Sequence, residues 1–501
     1  AHEIPCATHA FAASTGAGGL SGELALAGRG TPEELDAAGA GGRIVLVDGI
    51  IAPNRNLAVE QAGVVASIWI AGTHLHERAL SPVWGTPTPE TAGLLPTTPS
   101  VSVKAGEGQQ LKELLASGPV EARLETRVYR GWRQLPLLVA DLPLADGDGD
   151  FVLFSGHVDS WHYGAMDNGT ANATMLEVAH ILAQHRDELR RGLRLAFWSG
   201  HSHARYAGSA WYADEHWQEL REHCVAHINV DSVGGNGATV LSEGNSMAEL
   251  RGFVSDAIEP VAGQRLAARR YGRAGDQSFW GHGIPAALMS LSEQPPENAD
   301  PVLLALHHQI AGGASAGGGL GWWWHTPDDT VDKIDPAFLR RDASIYVLLL
   351  HRLCTAGRLP LDYRPVAADL RQNVESIAAK AGSGLDLEPA LLGIDALAAA
   401  LDRLDERADG LDDAAINRCL KRISRALIPV DYTRAGEFGQ DLAVPTSPLP
   451  GLQPATTLAT LDPDSDGYHF LRTALVRERN RLVHALSEAT RAVDEVLAVL
   501  G

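Results

Sequence analysis

The sequence has few cysteines, and their placement excludes two kinds of protein. Only four occur in 501 residues, Cys6, Cys224, Cys354 and Cys419, and no two of them form a CxxC pair. A thiolate zinc site needs closely spaced cysteines, and a small disulfide-held domain needs many of them. The chain fits neither class.

Long apolar runs and a surplus of basic residues are also missing. No run of about 18 apolar residues occurs, so we expect no membrane span and no membrane partner. Lysine and arginine total 41 against 62 acidic residues, and the formal charge of −21 argues against nucleic acid, which binds clustered basic side chains. The start "AHEIPCATHAF" shows no secretory pattern, so we expect a cytoplasmic protein, or a secreted one if a signal preceded this numbering.

The order of apolar runs predicts an α/β fold in a chain with room for about three domains. Residues 1–24, rich in small side chains, predict an irregular surface segment. "RIVLVDG", "AVEQAGVVASIWIAG" and "PTTPSVSVKAGEGQQLKELLASG" then alternate strand and helix, as in a small α/β module that ends near residue 130. From "DFVLFSGHVDSW" onward, short apolar runs separated by helical stretches predict a mostly parallel sheet with helices on both faces.

The last part of the chain predicts helices. Apolar residues from Leu471 to Leu500 recur at helical spacing in "FLRTALVRERNRLVHALSEATRAVDEVLAVL" and form a stripe on a charged helix. With "LLGIDALAAALDRLDERADG", the region is typical of an antiparallel helix pair or small bundle. Such a stripe is most often core packing, and it can also be the contact surface of a dimer.

Polar residues that could bind metal follow the predicted strands of the second unit. His157 follows "FVLF", Asp231 ends "VAHINVD", Asp167 lies in "GAMDNG", and His325 lies in "WWWHTPDDT". Imidazole with carboxylate is the ligand mix that suits zinc and similar ions. Asp159, two residues after His157, is placed to accept a hydrogen bond from the second ring nitrogen. Each residue alone has an ordinary structural explanation, such as a helix cap or a turn, so the prediction depends on the whole set.

Together these segments resemble the co-catalytic zinc aminopeptidases, specifically the branch with glutamate carboxypeptidase and transferrin receptor. The combination "SGHVDSWHYGAMDNG", "LRLAFWSG", "YAGS", "HINVDS" and "WHTPDDTVDKID" carries the resemblance. It implies an N-terminal segment at 1–24, a protease-associated-like domain at 25–135, a metallopeptidase-like catalytic domain at 136–355 and a helical dimerisation-like domain at 356–501. It also implies a homodimer through the C-terminal helices.

The resemblance assigns metal-binding roles position by position. It implies that His157 and Asp231 bind one metal ion, that His325 binds the other, and that Asp167 bridges the two. Asp159 would be the partner of His157, and the peptide after Asp167 would be cis. The cofactor is expected to be one or two zinc ions, or another divalent transition metal.

The chain departs from the family where two adjacent glutamates are expected. "FWSGHSHARYAGS" has His201, Ser202 and His203 there, with no carboxylate. Aligned from the right, His203 falls on the ligand position and Ser202 on the base position; aligned from the left, His201 falls on the base. The two alignments cannot both hold, so the sequence leaves open which imidazole of the turn binds the metal; we expect His203 as the ligand, with His201 and Asp159 in catalytic roles. The lost carboxylate predicts a second metal ion that is held more weakly.

Six further residues are candidates for substrate contacts. "AGDQSFWGHG" resembles the family segment that faces substrate, and Trp324 stands beside His325 in an aromatic run. Tyr163 and Arg205 could bind an oxyanion or a carboxylate of the substrate. The candidates are Tyr163, Arg205, Asp276, Gln277, Ser278 and Trp324.

These observations predict a metal-dependent hydrolase of the aminopeptidase or carboxypeptidase type. It would cleave an amide bond in a small peptide or peptide-like compound through a metal-activated water. Two alternatives stay open on the sequence: a metal-dependent lyase or other C–N cleaving enzyme on the same scaffold, and a receptor-like binding protein without catalysis.

Overall fold

The computed structural model of the chain describes residues 2–144, 149–310 and 317–500. The strands, numbered in chain order, are β1 Ala7–Thr8, β2 Leu20–Leu26, β3 Ile44–Asp48, β4 Ala66–Ile70, β5 Ser100–Val103, β6 Glu121–Leu124, β7 Leu138–Leu142, β8 Phe151–His157, β9 Gly192–Trp198, β10 Cys224–Val230, β11 Asn245–Ser246 and β12 Ala286–Met289. The α-helices are α1 Pro32–Ala37, α2 Pro53–Gln61, α3 Ala105–Ser117, α4 Ala171–Gln184, α5 Ala207–Glu215, α6 Trp217–His223, α7 Ala248–Ala262, α8 Pro301–Ile310, α9 Pro336–Thr355, α10 Arg364–Ala381, α11 Glu388–Arg407, α12 Asp413–Tyr432 and α13 Asp466–Leu497.

The first module, residues 7–124, is built on a sheet in the order β1-β5-β4-β3-β2-β6. Its inner strands are parallel, whereas β1 and β6 pair antiparallel at the two edges. The prediction that residues 1–24 are irregular was wrong, because this segment supplies β1 and most of β2. Leu20, Leu24 and Leu26 fall among small and polar residues, so the composition of the segment concealed the strand.

The second sheet has the order β11-β12-β10-β8-β9-β7. Strands β12, β10, β8 and β9 run parallel, and β11 and β7 are antiparallel edges. Every residue of β8 and of β10 is buried, as expected for central parallel strands covered on both faces. The chain goes from β8 to β9 on one side and to β10 on the other, which opens a crevice at the carboxyl ends of these strands.

Helices cover both faces of the second sheet, which confirms the predicted fold class. On one face, α4, α7 and α9 pack on the strands, with Phe154 of β8 against Tyr346 of α9 at 5.5 Å between ring centroids. On the other face, Tyr212 of α5 and Leu220 of α6 pack in a cluster that includes Trp198 of β9. Helix α9 begins at Pro336 because the side chain of Asp335 accepts the backbone N–H of Ala337 (2.7 Å).

The C-terminal helices pack against one another within the chain. Helix α13 lies against α11 and α12, and its apolar stripe, including Leu475, Leu482, Leu486 and Val493, is buried there. The stripe is therefore core packing in this chain, with the side chain of Leu500 outside the described residues. Among the helices of the described ranges, none has the length and apolar character needed to cross a membrane.

Candidate metal centre

The candidate ligands meet at the carboxyl ends of three adjacent parallel strands. His157 is the last residue of β8, Asp231 follows β10, and the HSH turn (residues 201–203) follows β9 after two further residues. Because β8 lies between β9 and β10, side chains from all three ends face the same crevice.

Asp167 lies between two imidazoles. Its Oδ1 is 2.9 Å from Nε2 of His157, and its Oδ2 is 3.0 Å from Nε2 of His325. Oδ2 of Asp231 is 3.6 Å from the same nitrogen of His157. The structure thus brings together the four residues that the resemblance assigned to two metal ions, with Asp167 between the imidazoles of His157 and His325.

Asp329 fixes the backbone at Asp167. Its carboxylate accepts the backbone N–H groups of Met166 (2.8 Å) and Asp167 (3.0 Å), and burial raises its pKa to about 6. The Asp167–Asn168 peptide is cis, which confirms the prediction. The side-chain amide of Asn168 donates to the carbonyls of His157 and Val230, both at 3.3 Å, and so ties the bridging segment to β8 and β10.

Asp159 has a different role from the predicted one. Nδ1 of His157 donates to the backbone carbonyl of Asp159 (2.7 Å), while the nearer carboxylate oxygen is 4.0 Å away. That carboxylate instead accepts the backbone N–H groups of His201 (3.1 Å) and Ser202 (3.0 Å). Asp159 therefore shapes the HSH turn and orients His157 through its main chain.

His201 turns into the crevice. Its ring stacks on His157 with 3.8 Å between centroids and 10° between planes, and its Nδ1 lies 2.9 Å from Oδ2 of Asp276. One ligand atom each from His157, His201 and Asp231 lie within 4.8 Å of one another. His201 is thus close enough to His157 and Asp231 to share a metal ion with them, whereas the sequence favoured a catalytic role for it and left open which imidazole of the turn is the ligand.

The structure does not bring His203 to this group. Its ring is exposed, its Nε2 donates to the carbonyl of Ser160 (3.1 Å), and it packs against Trp161. The predicted ligand role does not suit this orientation. Arg205 (φ 50°) and Tyr206 (φ 70°) then reverse the chain in the left-handed region, so the turn sends successive side chains in different directions.

The predicted substrate contacts separate into buried and rim residues. Asp276, Gln277 and Ser278 are at most 1% exposed and lie beneath the crevice, so the segment faces the protein interior instead of open space. Arg205 donates to the carbonyl of Ala443 (2.8 Å), and Tyr163 is 84% exposed at the rim. Trp324 stacks on His325 with 3.5 Å between centroids.

Sequence reasoning missed a contribution from the first module. Nδ1 of His325 donates to the backbone carbonyl of Glu77 (2.7 Å), and the N–H of Glu77 donates back to the carbonyl of His325 (2.9 Å). His76 adds a ring hydrogen bond to the carbonyl of Trp324 (2.6 Å). These partners are 248 residues apart, so no local pattern could have indicated them.

The electrostatics of the group suit a cation. Burial alone would lower the pKa of His157, but the Asp231 and Asp167 carboxylates raise it well above its usual value. Burial alone would raise the pKa of Asp167, but His157 and His325 hold it well below its usual range. Nε2 of His157 and Oδ1 of Asp167 are buried and lie 2.9 Å apart, and neither atom makes a hydrogen bond of good geometry in the described part of the chain. A buried imidazole and carboxylate set of this kind, in which a dication could replace the proton between Nε2 and Oδ1, fits zinc.

Gly208 closes the HSH turn against β9. A Cβ at this position would lie 2.2 Å from the carbonyl oxygen of Ser199 and 2.9 Å from a methyl group of Leu137. We expect Gly208→Ala to lower the free energy of unfolding by about 2 kcal/mol, because the backbone must move apart. The matched control is Gly252→Ala on helix α7, where an added Cβ meets nothing within 4 Å. That variant should be more stable by about 0.5–1 kcal/mol. Urea denaturation of both variants tests this, and an equal effect would contradict the close approach.

Parts of the chain are similar to known proteins. Residues 138–349 match the description "Peptidase family M28". A probable glutamate carboxypeptidase of Zea mays is 27% identical over 245 residues, which cover 47% of this chain and 32% of that protein. A probable glutamate carboxypeptidase of Arabidopsis thaliana is 22% identical over 386 residues, covering 68% of this chain and 52% of that protein. The alignments thus span from about a third to about half of these relatives.

A solved structure shares the fold. The zinc aminopeptidase BSAP of Bacillus subtilis superposes with a TM-score of 0.52 at 21% identity, covering 71% of this chain and 80% of that one. At this identity the likeness shows the fold.

Proposed function

We propose that this chain, whose residues 138–349 match peptidase family M28, is a metal-dependent hydrolase of amide bonds in small peptides or peptide-like compounds. The observation that carries the proposal is the convergence of five side chains at one sheet edge. They form the His–Asp cluster: His157, Asp167, His201, Asp231 and His325.

The cluster provides ligands of the kind that zinc takes in hydrolases. His157, His201 and Asp231 would hold one ion, His325 would contribute to a second, and Asp167 faces both positions. When bound, zinc polarises a carbonyl group and makes bound water more acidic.

The other residues orient the ligands and shape the approach. The Glu77 carbonyl fixes which nitrogen of His325 carries the proton, and the Asp159 carbonyl does so for His157. Stacking of Trp324 on His325 restricts rotation of that ring, and Trp161 lies at its edge, 5.8 Å between centroids. These two indoles would exclude water from one side of the cluster and offer an apolar surface to a substrate side chain.

The names of the relatives suggest the substrate class. Glutamate carboxypeptidases and aminopeptidases act at the ends of peptides, and we propose a terminal peptide bond, or an amide that resembles one, as the target. The matched family and the named relatives are peptidases, so non-peptidase chemistry is an outcome of the test and not a second proposal.

The HSH turn offers a matched pair of variants for the test. Purified protein should bind zinc, hydrolyse aminoacyl or peptidyl amides, lose that activity on dialysis against a chelator and regain it with zinc. His201→Ala should weaken zinc binding by at least about tenfold, because a ligand is removed. His203→Ala should leave zinc affinity unchanged, because that ring faces solvent. Chelator competition measures both affinities.

Each alternative outcome has a distinct signature. If the purified protein contains no bound zinc, and His325→Ala does not change the zinc content, a receptor-like role would replace the proposal. Zinc-loaded protein that turns over no amide, but loses another activity in His201→Ala, would indicate a lyase or another C–N cleaving enzyme.

We also propose that the chain forms a homodimer. Because the stripe of α13 is buried within the chain, other surfaces of the C-terminal helices would make the contact. Light scattering decides the matter, and a monomer across the working concentration range would refute it.

A further inference from the structure

We infer that Asp276 is a positioning residue that makes His201 a metal ligand. We also infer that a buried series of hydrogen bonds, which begins at Trp84 of the first module, holds Asp276 in place. This inference rests on the proposed function, since it concerns the same centre. It assigns Asp276 a role that differs from the substrate contact predicted from the sequence.

Asp276 selects the protonated nitrogen of His201. The aspartate is fully buried, and its Oδ2 lies 2.9 Å from Nδ1 of the imidazole. A carboxylate only accepts hydrogen bonds, so Nδ1 carries the proton and Nε2 keeps its lone pair. That lone pair is the group a metal ion requires, and a carboxylate behind the ring makes it more basic.

The ring of His201 is also held in orientation by its neighbours. One face stacks on His157 at 3.8 Å between centroids, and Tyr206 packs at 4.9 Å with its ring nearly perpendicular. With Nδ1 tied to Asp276, rotation of the ring in either direction breaks one of these contacts. His201 is therefore presented in a single orientation before any ion binds.

Asp276 also supplies the negative charge that the HSH turn lacks. With histidine where the resembling family has glutamate, the ligands of the cluster include two carboxylates, Asp167 and Asp231. Asp276 adds a third carboxylate, which lies behind the imidazole of His201 and does not contact the metal position itself. The charge facing a dication is thereby kept, although it acts through an imidazole.

A chain of hydrogen bonds converges on this carboxylate from the first module. Nε1 of Trp84 donates to Oγ of Ser278 (2.8 Å), Oγ of Ser278 lies 2.9 Å from Oγ of Ser209, and Ser209 donates to Oδ1 of Asp276 (2.7 Å). An indole can only donate and a carboxylate can only accept, so every hydrogen bond of this series donates in the direction of Asp276. All four side chains are at most 3% exposed, and a satisfied polar network in such surroundings is rigid.

A double-mutant cycle tests whether Asp276 acts through His201. Zinc affinity is measured by chelator competition in the full chain for wild type, Asp276→Asn, His201→Ala and the double variant. Asp276→Asn removes the charge with little change in shape, and it should weaken zinc binding by about 10–100-fold. In the His201→Ala background the same substitution should have almost no effect. Trp84→Phe, which removes only the donor at the far end, should give a smaller loss in the same direction.

The outcomes separate this inference from the proposed function. Wild type that binds zinc and hydrolyses amides while Asp276→Asn keeps full affinity would overturn the inference and leave the function standing. Losses that add in the double variant would show a general structural role and would also overturn it. Wild type without zinc affinity would overturn both. Melting in chelator checks folding of the apo forms, and if Asp276→Asn does not fold, the cycle is run with Trp84→Phe and His201→Ala.

Discussion

Replacement of Asp167 by Asn is expected to lower the zinc affinity of the chain by at least about 100-fold. Mutation of a residue that only hydrogen-bonds to a metal ligand already costs about 10–100-fold in affinity, and Asp167 is expected to bind the metal directly. Asp167 is the residue that faces both His157 and His325, through one carboxylate oxygen each. An amide of the same shape offers one oxygen and no charge, so one of the two metal positions loses a ligand and both lose an anion. Hydrolysis of peptidyl amides should fall with the affinity.

The control for this variant is Asp332→Asn, whose side chain is 68% exposed. It removes an equal charge without touching the cluster and should leave zinc affinity unchanged. If titration with a metal-sensitive chelator gave Asp167→Asn the same affinity as the control, Asp167 would not be a ligand. Melting both apo proteins in chelator shows whether either substitution disturbs the fold itself.

Glu249→Gln is expected to raise the free energy of unfolding by up to about 3 kcal/mol at pH 8, since a pKa change of one unit is worth about 1.4 kcal/mol. Glu249 lies on α7, is 3% exposed, and has a carboxylate oxygen without a hydrogen-bond partner among the described residues. Burial raises its pKa to about 7, with a further contribution from Asp431. The folded protein therefore keeps this side chain protonated where the unfolded chain has lost the proton.

The sign of the pH dependence follows from this raised pKa. Below the ordinary value of 4.5 the side chain is protonated in both states, so it contributes no penalty. As the pH rises from 4.5 to about 7 the penalty grows, and above about 7 it is constant. Glutamine carries no charge, so the advantage of Glu249→Gln should be absent near pH 4 and full at pH 8.

Urea denaturation at the two pH values measures the effect of Glu249→Gln, with Glu177→Gln as control. Glu177 is exposed on α4, so its replacement should change stability by less than about 0.5 kcal/mol. An advantage that is the same at both pH values would mean that charge burial is not its cause.

Much of the fold could be predicted because the strands that matter are short, apolar and parallel. "FVLF" and "VAHINV" lie in β8 and β10, and the polar residues after them meet in the crevice, as strand ends in such a sheet must. β2 was missed because its leucines are spaced among glycine, serine and glutamate in a segment of low complexity. The domain boundaries and the protease-associated character of the first module stay predictions.

The orientation of the HSH turn could not be predicted from spacing. Which imidazole faces the crevice depends on the left-handed backbone at Arg205 and Tyr206, and on the Asp159 carboxylate that captures two N–H groups of the turn. The partner of His201 was equally hidden, because Asp276 lies 75 residues further along the chain. Contacts of this kind arise from tertiary packing, and local sequence carries no record of them.

The reciprocal backbone pair between Glu77 and His325 has a consequence for dissection of the protein. An excised fragment of residues 138–349 would keep every side chain of the His–Asp cluster. It would nevertheless lose the Glu77 carbonyl that accepts a hydrogen bond from Nδ1 of His325, and the Trp84 indole that donates one to Ser278. The second sheet and the first module thus both contribute hydrogen bonds around the His–Asp cluster, and we expect a fragment that lacks the first module to hold His325 and Ser278 less firmly.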